Sequence, residues 1–165
     1  APGDAQVENN LAGLYLFADR IADAERMFLG LIERLPEAVP SRFNLGVLYA
    51  RTKRWPEAVT QLEAARARVV DLDILRELGD ALIEVGRFQE AVAMHQDALG
   101  LSLGAAEQRT QLSRAYARLV AHLEQSSADR KELVAQTRNW LAIDPEDPVA
   151  AQKLADLRAG DVAAD

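Results

Sequence analysis

The chain has 165 residues, of which 49% are apolar but only 5% aromatic, with a net charge of −7 and an isoelectric point near 4.9. An acidic surface does not release counterions from phosphate, which argues against a nucleic-acid partner, and no apolar run approaches the roughly 18 residues that cross a bilayer, which argues against membrane insertion. Absence of cysteine excludes disulfides and thiolate metal sites, and suits the cytoplasm and the bacterial periplasm equally. The chain opens Ala1-Pro2-Gly3 without an initiator methionine or a recognisable signal peptide, as expected after removal of a leader by processing or cloning.

From residue 5 onward one pattern recurs. In the stretch 5–38, Leu11-Ala12 and Tyr15 share a helical face, and Ala24 and Phe28 share another before Pro36. Residues 39–71 repeat it with Leu45-Gly46, Tyr49, Ala58 and Leu62, with Pro56 at a first helical position where its missing N–H is harmless. Residues 72–105 repeat it again with Leu78-Gly79, Leu82, Ala91, His95 and Leu103, and Gly86 marks the turn. Ala24, Ala58 and Ala91 therefore stand 34 and 33 residues apart. A period of that size predicts stacked helical hairpins, because each hairpin shows apolar groups on more than one side and cannot bury them alone.

A fourth stretch, 106–146, begins with Arg109, Leu112, Ser113 and Tyr116, but its second half fits only with Leu133, Thr137 and Pro145 in the later slots. The mismatch predicts an insert near 122–129, with Leu119, Val120 and Leu123 prolonging an apolar stripe and Ser126 with Asp129 forming a capping box. Asp147-Pro148 opens a final helix, 148–159, whose Ala151, Leu154 and Leu157 cap the stack, and 160–165 reads as a frayed tail. No alternation of Val, Ile and Thr suggests a strand.

These words resemble the tetratricopeptide repeat, whose Trp-x2-Leu-Gly-x2-Tyr, Ala-x3-Phe and Pro pattern spans about 34 residues. The resemblance covers 5–145 and implies a single all-α domain: a right-handed superhelical solenoid of four helix-turn-helix repeats with a C-terminal capping helix. It also implies that the first helix of each repeat lines a concave groove. Mapped onto this chain, the groove takes Asn9, Leu16 and Phe17 from the first repeat and Phe43, Asn44, Val47 and Arg51 from the second. The third gives Arg76, Glu77, Asp80 and Ile83, and the fourth gives Arg114 and Arg118.

The expected function is a non-catalytic adaptor that holds a peptide or protein segment, with Phe17 and Phe43 as apolar anchors and Asn44 bonding the main chain. The two-carboxylate clamp of the family's chaperone-binding members is missing: only Asn44 fits it, and Asp73 and Glu77 would repel a C-terminal carboxylate. The alternative is an assembly scaffold or homo-oligomer that uses the convex face, the ends or the fourth hairpin, or the repeat region of a longer export protein or enzyme. His95 and His122 are the only histidines, His95 occupies a packing slot, and no nucleophile elbow, phosphate loop or metal motif is present, so neither catalysis nor a cofactor is expected. Pairs such as Asp19 with Asp23, or Glu77 with Asp80, are ordinary for an acidic helical surface. The 16 arginines against three lysines read as coding bias.

Overall fold

The computed structural model describes residues 4–102, 105–126 and 128–162, the last three by backbone alone; Leu103 and the end of the tail lie outside this set. Among the described residues there are nine α-helices and no strand. The chain divides into two compact units, 1–85 and 86–165.

The first unit holds α1 (Ala5–Phe17), α2 (Ile21–Arg34), α3 (Val39–Arg51), α4 (Trp55–Arg66) and α5 (Leu72–Glu84). Each helix packs on the next, and α3 also touches α1 and α5, so α1, α3 and α5 form one layer against α2 and α4. The core between the layers is built from Ala12, Ala24, Phe28, Leu45, Ala58 and Leu62, the residues of the repeating words. At Gly46 α3 and α4 approach closely: a Cβ there would stand 2.6 Å from Leu62 Cγ.

The turns between paired helices repeat as well. After α1, Asp19 N–H donates to Leu16 O at 3.2 Å and Arg20 N–H to Tyr15 O at 2.8 Å. After α3, Lys53 N–H donates to Ala50 O at 3.0 Å and Arg54 N–H to Tyr49 O at 2.8 Å. Both are Schellman endings, which need a left-handed residue just past the helix, and Asp19 (φ 58°) and Lys53 (φ 59°) supply it. Gly86, with φ 81°, takes the same left-handed conformation with no Cβ to strain.

The arginine after each left-handed residue also recurs. Arg20, Arg54 and Arg87 precede α2, α4 and α6 (Phe88–Leu101) without capping them by side chain, and each instead bonds the acid three residues on: Asp23, Glu57 and Glu90. Arg20 and Arg54 lie 4.2 Å above the rings of Tyr15 and Tyr49. Arg54 further reaches back to Glu25 of α2 at 2.9 Å.

The second unit contains α6, α7 (Ala106–Gln125), α8 (Arg130–Ile143) and α9 (Pro148–Val162); α7 packs on α6, α8 on α7 and α9 on α8. The insert appears as a lengthened α7 of 20 residues, while α8 keeps 14. Its apolar stripe is not a docking face: Leu119, Val120 and Leu123 are buried, as are Leu133 and Trp140 of α8. The capping box expected at Ser126 and Asp129 does not form. Ser126 closes α7, its hydroxyl donating to Leu123 O at 3.2 Å, and Asp129 alone caps α8 by accepting from Lys131 N–H at 3.1 Å. Ser127 lies outside the described residues. Pro56 is the second residue of α4 rather than its first, a position whose N–H is also free of intrahelical bonding.

His95 is fully buried, and Thr137, in the corresponding slot of the next repeat, satisfies its hydroxyl by donating to Leu133 O at 2.7 Å. Asp147 caps α9 through Val149 and Ala150 N–H at 2.8 and 3.0 Å.

Candidate functional site

The first helices of successive hairpins meet directly at α1 and α3, and there the polar side chains converge. Asn9 Oδ1 accepts from Ser41 Oγ at 3.1 Å and from Asn44 Nδ2 at 3.3 Å. Asn9 and Asn44 are half-buried and Ser41 is buried, so the cluster sits in the seam rather than on open surface. Beside it a cleft of about 290 Å³ is lined by Ala5, Gln6, Asn9, Ala38, Pro40 and Ser41. Among the described residues neither the Asn9 amide N–H2 nor the Asn44 amide oxygen has a protein partner, so each retains hydrogen-bonding capacity for a ligand main chain.

Phe43 and Val47 are half-buried on α3, whereas Phe17 is 88% exposed at the end of α1. Arg51 is occupied by structure: its guanidinium donates to Leu16 O at 3.0 Å and lies 3.8 Å from Asp19, closing the C-terminus of α1. Two residues mapped to the groove are core instead. Leu16 and Ile83 are buried, because their side chains sit on the flanks of α1 and α5 rather than on the outer face.

Arg76, Glu77 and Asp80 share a half-buried turn of α5, where Arg76 bonds Asp73 at 3.0 Å. Burial, reinforced by the neighbouring Asp80 charge, holds the Glu77 carboxyl above the usual glutamate range. Arg114 and Arg118 belong to the second unit and stand exposed one turn apart on α7. The Arg118 guanidinium lies 5.8 Å from the Phe88 ring centre, and Phe88 packs on His122 with ring centres 5.1 Å apart.

Ser41 is the residue of this site that sequence reasoning passed over. Its signal is a polar side chain at a repeat position held by Val7 and Ile74 in the neighbouring repeats.

Two models of the tetratricopeptide repeat match the chain, over residues 9–69 and 74–109. The chain is a tetratricopeptide-repeat protein. Among solved structures it is similar to YrrB, described as a tetratricopeptide-repeat protein with an unusual peptide-binding site, at 21% identity and a TM-score of 0.69, covering 96% of this chain and 78% of that one. It is also similar to MamA, at 16% identity and a TM-score of 0.68, covering 95% of this chain and 82% of that one. At such identities these likenesses establish the all-α tetratricopeptide fold. No curated protein matches the sequence. Tetratricopeptide-repeat proteins are in general protein-interaction modules, and among the described residues no helix is long and apolar enough to cross a membrane.

Proposed function

We propose that the protein is a non-catalytic adaptor that holds an extended segment of another protein along the α1–α3–α5 face of its first unit. The observation that carries this reading is the Asn9–Ser41–Asn44 cluster beside the α1/α3 cleft. Two amides with unused donor and acceptor groups can bond a peptide main chain, which is sequence-tolerant, while half-buried Phe43 and Val47 offer apolar area for a side chain. The half-buried charges of Arg76, Glu77 and Asp80 favour a ligand that carries polar or basic groups at the α5 end. Phe17, Arg51, Arg114 and Arg118 are peripheral to this reading: Arg51 already closes a helix, and Arg114 and Arg118 stand on the other unit. The peptide-binding site named for YrrB supports a peptide as the ligand class.

The test is selection of random peptides on the full chain, followed by titration of the selected sequences against Asn9→Ala and Asn44→Ala. Loss of one or two hydrogen bonds should weaken binding about tenfold in variants that circular dichroism shows to be folded, Asn9→Ala melting somewhat lower because buried Ser41 loses its acceptor. Equal affinity for the wild type and both folded variants would reject the site.

A further inference from the structure

The first hairpin carries a face that the rest of the unit treats as interior. Val7, Leu11 and Leu14 follow helical spacing along α1 and are 61%, 41% and 64% exposed, whereas Ser41, Leu45 and Leu48, one repeat later on α3, are 2%, 0% and 0% exposed. On α3 these positions are covered because α1 and α2 pack against that helix. Among the described residues no helix comes before α1 to cover the same positions on it, and they stay largely exposed. Lone exposed hydrophobics need no explanation, but three in register along a helix, at positions buried in the next repeat, form a surface shaped for a helix.

A charge comparison indicates what that helix carries. Arg54 bonds two carboxylates: Glu57 three residues on, at 3.0 Å, and Glu25 from the preceding α2, at 2.9 Å. Arg20 occupies the same place one repeat earlier, over Tyr15 as Arg54 is over Tyr49. It has the local acid, Asp23 at 2.5 Å, but among the described residues no counterpart of Glu25.

We infer that the outer face of α1 docks an amphipathic helix of a partner protein, which lays an apolar stripe on Val7, Leu11 and Leu14 and places an acidic residue against Arg20. This partner is distinct from a peptide held in the α1/α3 cleft, since Asn9 lies on the side of α1 that meets Ser41 of α3. The helix that makes the equivalent contact within the chain is α2, which supplies both the apolar packing on α3 and Glu25.

The probe is a synthetic peptide of residues 18–38, which spans α2, titrated into the full chain by fluorescence anisotropy. The inference predicts saturable binding that Leu14→Asp weakens at least about tenfold and Arg20→Glu weakens about threefold. It further predicts that a peptide with Glu25→Lys recovers affinity for the Arg20→Glu chain. Leu14 is exposed, so Leu14→Asp should melt with the wild type; Arg20→Glu gives up the Asp23 pair and should melt lower while staying folded at the titration temperature. Binding unchanged in both variants, or absent altogether, would overturn the inference. So would concentration-dependent dimerisation lost in Leu14→Asp, which would make a second copy of this chain the occupant.

Discussion

Replacing Gly46 by alanine tests the packing that defines the repeat register. The added Cβ would meet Leu62 Cγ at 2.6 Å, Cδ2 at 2.9 Å and Cδ1 at 3.4 Å, whereas comfortable carbon contacts lie at about 3.5–4.0 Å. Relief therefore needs a movement of roughly 1 Å at the nearest atom. That atom is the branch point of a fully buried side chain, so either Leu62 leaves its rotamer or α3 and α4 separate. Overpacking of this kind costs about 1–3 kcal/mol, against which alanine gains about 1 kcal/mol over glycine as a helix former. The net expectation is a loss of about 1 kcal/mol, and Gly46→Leu should lose more.

The decisive comparison is the same change in a Leu62→Ala background. Leu62→Ala alone should cost about 2–5 kcal/mol through lost burial and a cavity. With Cγ and both Cδ atoms gone the clash vanishes, and Gly46→Ala should then stabilise by about 1 kcal/mol. Urea unfolding of the four proteins, followed by circular dichroism at a shared m-value, gives the coupling directly. A coupling of about 1–3 kcal/mol is expected. Additivity within about 0.5 kcal/mol would refute the claim that Gly46 is small because Leu62 fills its place.

Three further outcomes follow from named contacts. Lys53→Gly should stabilise by about 0.5–1 kcal/mol in thermal unfolding, because it relieves a left-handed φ of 59° at a helix ending. Glu77→Gln should raise stability near neutral pH and change little below about pH 4. The sign follows from burial: the folded carboxyl titrates above its unfolded value, so the wild type loses stability as pH rises through that window and the amide does not. Arg54→Met should lower the melting temperature more than Arg20→Met, since Arg54 joins Glu57 and Glu25 whereas Arg20 joins Asp23 alone; the salt dependence of both losses should be visible.

Much of the architecture was legible because the repeat positions are packing positions. Helices open at Ala5, Val39, Leu72 and Ala106, and the small residues Ala24, Gly46 and Ala58 lie buried at helix contacts. What escaped reading has local physical causes. Asp19 and Lys53 adopt the left-handed turn that Gly86 announces by its identity, and nothing about a lysine signals positive φ. Arg20, Arg54 and Arg87 recur with the repeat, yet arginine excess alone does not reveal a shared cap-and-stack role. Ser126 and Asp129 have the spacing of a capping box, but α7 runs on to Gln125 and takes Ser126 as its own terminus.

The candidate site was partly legible. Asn9 and Asn44 stand in groove positions of successive repeats, but Ser41, which joins them, shows only as a polar residue in an apolar slot. Leu16 and Ile83 fall on helix flanks, where a few tens of degrees of rotation separate groove from core, finer than spacing resolves.

The most direct test of the adaptor reading is a nuclear magnetic resonance titration of the full chain with a peptide selected for binding. The account predicts that the largest amide shifts fall within residues 6–17 and 38–51, with the side-chain amides of Asn9 and Asn44 among them. Shifts confined to residues 86–162, with those two amides unmoved, would contradict it.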